Sequence, residues 1–163
     1  TRFYKRGNGA DLYRRSVYTF FKRTAPHPMF ANFDAPAREQ FCLKRERSNT
    51  PLQALQLMND VQHFESARGL GERAMKSVSD RGKRIDFIFR SVVSRLPSVE
   101  EKKIIARFFK RQFEKYQGIP EEATKAISFG ESEPAKDLDA SELAAWSLVA
   151  NLILNMDEAI VRN

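Results

Sequence analysis

The chain has 163 residues, 42% of them apolar and 30% charged, and 28 Lys and Arg against 21 Asp and Glu give it a net charge of +7. That length suits one domain with its own core, and the apolar fraction excludes a disordered chain. No run approaches the roughly 20 consecutive apolar residues of a membrane span, and the opening Thr1-Arg2-Phe3-Tyr4-Lys5-Arg6 lacks the apolar stretch of a secretion signal. A first residue of Thr rather than Met points to a processed chain or a piece of a longer one, whose targeting signal would lie in the missing part.

Cys42 is the sole cysteine, so no internal disulfide or four-cysteine metal site can form. His27 and His63 are the only imidazoles and lie far apart in sequence, which argues against a zinc or haem site made by this chain alone. There is no C-x-x-C-H, no Gly-rich phosphate loop and no G-x-S-x-G elbow. Charge is distributed unevenly: eleven Lys and Arg against four Asp and Glu in residues 1–48, fourteen against eight in 49–118, and three against nine in 119–163. A basic front attracts anions or an acidic tail that folds back, although doublets such as Arg14-Arg15 and Lys83-Arg84 are ordinarily solvated helix faces.

The first predicted element is a helix over Asp11–Arg23, with Leu12, Tyr13, Val17, Phe20 and Phe21 at near-helical spacing and Asp11 as its cap. Pro26 and Pro28 forbid its continuation. Residues 24–49 then read as a long irregular connection. Met29, Phe30, Phe33, Phe41 and Leu43 make it too apolar for a linker, so it is expected to pack as a shell, with Cys42 a buried small hydrophobe.

Thr50-Pro51-Leu52-Gln53 is the clearest helix start: a hydroxyl cap, proline at the first helical position and an amide reaching back. The helix is expected to carry Leu55, Met58, Val61, Ala67, Ala74 and Met75 on one face. Gly69 and Gly71 inside it imply close packing by another backbone or a weak point. Ser79 or Asp80 caps a helix bearing Ile85, Ile88, Phe89, Val92 and Leu96, which Pro97 ends. Ser98-Val99-Glu100-Glu101 opens the next, with Ile105, Phe108, Phe109, Phe113 and Tyr116, and the two form a hairpin. A short piece runs from Pro120 through Ala123 and Ile127 to Gly130. Asp139 caps a last helix carrying Leu143, Trp146, Val149, Ala150, Ile153 and Leu154. No strand pattern competes and no fixed repeat is visible.

The candidate ligand-binding residues are Asp34, Arg38, Arg45, Arg47, Asn49 and Asn59. A carboxylate and several guanidiniums just ahead of the Thr50 cap can clamp an anion; equally, they can tie an irregular segment to its own backbone carbonyls. Asn59 and Asp60 can orient a ligand or bond nearby backbone. Asn151 and Asn155, four apart in the last helix, are expected to fix packing register. Cys42 can act as a nucleophile only if His27 or His63 approaches it. No catalytic residue and no metal ligand is assigned.

The runs Arg15-Ser16-Val17-Tyr18-Thr19-Phe20-Phe21-Lys22-Arg23, Phe33-Asp34-Ala35-Pro36 with Arg38-Glu39, Asn49-Thr50-Pro51-Leu52-Gln53-Ala54-Leu55, and Glu142-Leu143-Ala144-Ala145-Trp146 with Ala150-Asn151 and Asn155-Met156-Asp157-Glu158 resemble domain-of-unknown-function family 1553. Phe21 departs from the tryptophan expected there, and Gly69 and Gly71 from a helix richer in alanine. The resemblance implies the C-terminal module of a large secreted or periplasmic protein of planctomycetes and related bacteria. It further implies an upstream cytochrome-c-like segment, where any c-type haem would sit, and a role around sulfated polysaccharide. This chain alone should hold no cofactor.

The expected fold is all-α: a single domain over residues 1–163, an irregular bundle of about five or six helices with the aromatic connection between the first two. The expected function is a non-catalytic structural or interaction module whose partners are upstream domains of the same polypeptide. One alternative is part of an enzyme that acts on or binds sulfated or anionic polysaccharide; another is a basic nucleic-acid-binding module, the less expected partner.

Overall fold

The computed structural model describes residue 5, residues 7–22 and residues 25–161. It is all-helical, with no strand among the described residues and eight α-helices, more than the five or six expected: α1 (Pro28–Asn32), α2 (Pro51–Asn59), α3 (Val61–Ser77), α4 (Arg81–Val93), α5 (Val99–Gly118), α6 (Pro120–Ile127), α7 (Ala140–Leu154) and α8 (Asp157–Ile160). The chain divides into two compact units, residues 1–55 and 56–163, with the boundary inside α2.

In the first unit the helix predicted over Asp11–Arg23 is absent; two short 3-10 turns, Gly9–Tyr13 and Ser16–Tyr18, stand in its place, and Arg23 lies outside the described residues. Neither turn has a side-chain cap, and Arg14, Arg15 and Thr19 are extended. The apolar spacing could propagate a helix only with a surface to bury against, and Val17, Tyr18 and Phe20 stay exposed. Pro28 begins a helix rather than merely preventing one. It occupies the first turn of α1, where a missing N–H costs nothing, and His27 Nδ1 accepts the Met29 N–H at 3.3 Å. Phe41 and Leu43, expected inside, are 88% and 93% exposed, and Cys42 is exposed beside them, its thiol donating to the Lys44 carbonyl.

The Thr50 start forms as read. Gln53 N–H donates to Thr50 Oγ1 at 3.3 Å and Gln53 Oε1 accepts from Thr50 N–H at 3.0 Å. The helix does not continue to Met75, however. Asp60 turns extended and its carboxylate accepts the His63 N–H at 2.8 Å, so it caps a new helix, α3. The break rotates the apolar stripe: Leu55 and Met58 are exposed, while Gln53 and Leu57 are buried.

The second unit is built on α7, whose residues are apolar on nearly every face and so require neighbours all round. It contacts α3, α4, α5, α6 and α8. Trp146, Leu143, Val149 and Ile153 are fully buried, and the Trp146 ring lies 4.1 Å from that of Phe109. On α3 the small residues Ala67, Gly71 and Ala74 face this helix. A Cβ on Gly71 would stand 3.4 Å from the Trp146 Cβ and the Ser147 nitrogen, whereas one on Gly69 would meet nothing. Close backbone packing therefore accounts for Gly71 alone.

Asp80 caps α4 and Asp139 caps α7, each accepting a backbone N–H three residues on. Ser98 and Glu101 form the reciprocal box that opens α5. α4 stops at Val93, four residues before Pro97, because Ser94 takes a left-handed φ of 64°, and Leu96 beyond it is exposed. Asn151 is buried in α7, and Asn155 is its C-cap.

Candidate functional site

The candidate residues of the first unit lie around the end of α1. A helix leaves its last carbonyls without partners, and here side chains from the following segment supply them. Gln53 Nε2 donates to the Asn32 carbonyl at 2.6 Å, Arg45 reaches the Phe33 carbonyl at 2.5 Å, and Arg45 Nε donates to the Asp34 carbonyl at 2.9 Å. A guanidinium at this end also complements the helix dipole. Asp34 is the pivot. Its φ of 54° costs an L-residue about 1–2 kcal/mol, and its Oδ2 accepts from both the backbone N–H (2.8 Å) and hydroxyl (2.7 Å) of Ser48. The Ser48 hydroxyl in turn accepts from Gln53 Nε2 at 2.9 Å. The hydrogen bond from the Ser48 side chain, aided by its backbone N–H, holds the Asp34 carboxyl below its ordinary value.

A cleft of about 360 Å³ opens beside this network. Phe21, Met29, Phe30 and Phe33 line it, with Arg38 and Arg45 at its polar side. Phe21 and Phe30 stack at 6.2 Å, and the Arg38 guanidinium lies over Phe21, 4.6 Å from the ring centre. Arg38 holds a left-handed φ of 62°.

The structure thus brings Asp34, Arg38 and Arg45 together. Arg47 and Asn49 are exposed and do not line the cleft, and Asn59 belongs to the second unit. Ser48, which no motif singled out, proves central. Gln53 was legible as a cap partner, but nothing in the spacing foretold that its amide nitrogen also bridges Asn32 and Ser48.

A second polar cluster escaped sequence reading altogether. On α3, Glu65, Arg68 and Glu72 share a face, and Arg68 and Glu65 are only 2% and 5% exposed. Arg68 donates to the carbonyls of Ile127 (2.5 Å) and Ser132 (2.7 Å), while Glu65 accepts the backbone N–H groups of Glu131 (3.2 Å) and Ser132 (2.8 Å) and the Ser132 hydroxyl. Gly130, at φ 108°, lets the loop pass over the Glu65 carboxylate where any Cβ would collide. These bonds tie α3 to the last residue of α6 and to the loop that follows it. The signal that could have found Glu65, Arg68 and Glu72 is their spacing of three and four residues, which puts them on one helical face; nothing local indicates that the face is buried.

Among the described residues no group of His, Cys, Asp and Glu is arranged to hold a metal ion, and no helix is long and apolar enough to cross a membrane. His27 packs against Phe30, and burial lowers the pKa of His63.

Residues 1–109 match the family described as PSD1: Protein of unknown function (DUF1553). The chain belongs to that family. The match covers the first unit and the second as far as the middle of α5, so the resemblance seen in Glu142–Glu158 lies beyond it. No curated protein and no solved structure matches the chain.

Proposed function

We propose that this DUF1553 chain is a non-catalytic interaction module of a larger extracytoplasmic bacterial protein, and that its first unit docks on other parts of the same polypeptide. The observation that carries this reading is the apolar surface of that unit: Phe20, Phe41 and Leu43 are 76%, 88% and 93% exposed, with Tyr13, Val17 and Tyr18 also exposed. Large apolar groups at this density are normally covered by a partner. Two of the candidate charges are engaged otherwise, since Asp34 and Arg45 hold the backbone of their own unit. Placement outside the cytoplasm, and an upstream segment with c-type haem, rest on the family resemblance.

Titrating the upstream parts of the parent protein against this chain by calorimetry tests the reading. Saturable binding is expected, weakened at least tenfold by Phe41→Asp or Leu43→Asp. No binding, or binding that ignores both substitutions, would refute it.

A further inference from the structure

We propose that the cleft of the first unit is a binding site for a small amphipathic anion: a flat apolar body carrying one carboxylate, sulfonate or sulfate group. Its volume of about 360 Å³ falls within the size range of small-molecule sites. Its lining is sharply divided. Phe21, Met29, Phe30 and Phe33 offer aromatic and thioether surface, whereas the charged lining residues are Arg38 and Arg45, with no carboxylate among them.

The two guanidiniums differ in availability. Arg45 is engaged by the carbonyls of Phe33 and Asp34 and contributes chiefly its charge. Arg38 makes no ion pair among the described residues. It is held instead against the face of Phe21, which orients the planar fork while leaving its N–H edge for an acceptor. The backbone reinforces this placement. Arg38 adopts a left-handed φ that arginine disfavours, and such a conformation persists where the surroundings impose it, commonly at ligand sites. A cation stacked on one wall beside an apolar floor matches a ligand that is flat and greasy at one end and negative at the other; a bare inorganic anion would leave the floor wet, and a neutral ring would leave Arg38 unanswered.

The test uses the whole chain and two fluorescent probes of similar shape, 8-anilino-1-naphthalenesulfonate and its uncharged analogue N-phenyl-1-naphthylamine. The sulfonate is expected to bind saturably at one site, to be displaced by 2-naphthoate, and to lose at least tenfold in affinity in Arg38→Gln, while the neutral probe changes less than twofold. Leu43→Ser, at an exposed apolar position outside the cleft, should leave sulfonate binding unchanged. If Arg38→Gln alters the far-ultraviolet circular dichroism, Ser16→Glu decides instead: it sets a carboxylate on the exposed rim of the same cleft and should abolish sulfonate binding. Equal affinity for both probes, or a sulfonate affinity that follows Leu43 rather than Arg38 and Ser16, would overturn the proposal.

Discussion

In the described part of residues 56–163 eighteen apolar side chains are buried, and the one fully buried guanidinium there sits between two carboxylates. In the described part of residues 1–55 the only buried side chain is an amide, that of Gln53, and none of the aromatic rings is buried. Both units are rich in phenylalanine, so aromatic content does not separate them. What separates them is continuous helix. In the second unit α3, α4, α5 and α7 each present a face long enough to meet another, and burial accumulates. In the first unit Pro26, Pro28 and Pro36 keep the chain in short pieces, so its shape is held by side chains bonded to backbone and its rings remain available to ligands or partners.

The contrast can be broken at its strongest point first. Arg68→Ala removes the partner of a buried carboxylate, of the last carbonyl of α6 and of a carbonyl in the loop beyond it, and should destabilise the second unit by about 3–5 kcal/mol, read as a lower urea midpoint. A loss below about 1 kcal/mol would mean that the segment after α6 is held by something other than this pair.

Gln53→Ala should cost less, about 1–3 kcal/mol, because it strands the Asn32 carbonyl and the Thr50 N–H in a more open unit. Hydrogen exchange should accelerate across residues 28–34 and 48–53 and leave α7 protected. Equal acceleration in α7 would dissolve the distinction between the units.

The smallest effect is on acid stability. Hydrogen bonds from Ser48 lower the folded pKa of Asp34 below its unfolded value of 3.8. The unfolded chain therefore takes up this proton first. Asp34 contributes stability above pH 3.8 that is lost as pH falls through the lower folded value. Glu101 acts likewise in the second unit, held at about 2 by the Arg95 side chain and then by the Ser98 N–H. Asp34→Asn should flatten the acid limb of unfolding for the first unit only, and Glu101→Gln for the second only, in stability profiles monitored by segment-resolved hydrogen exchange.

Local chemistry was legible wherever a side chain bonds its own neighbourhood. The reciprocal cap at Thr50 and Gln53, the box at Ser98 and Glu101, and the caps at Asp80 and Asp139 follow from bonds spanning three residues, which the order of residues specifies directly, and the short helix opened by Pro120 follows from the fixed backbone angle of proline in its first turn. Asp60 was visible too, but as a residue that bonds nearby backbone; that it ends one helix and starts another was not read. The site was half legible: Asp34, Arg38 and Arg45 stood out by type, yet Ser48 and Phe21 did not, because their roles depend on where residues 28–34 turn.

Taken alone, the order of residues determined an all-helical chain, most of its helix starts, and the apolar residues carried by its last helix, since periodicity and caps are properties of short segments. Tertiary structure decided which apolar faces found partners. It turned one predicted helix into isolated turns, left Phe41 and Leu43 facing water, and drew Glu65 and Arg68 inside. Burial is a bargain between distant segments: a side chain is covered only if another part of the chain arrives at the right distance, and no local pattern records that arrival.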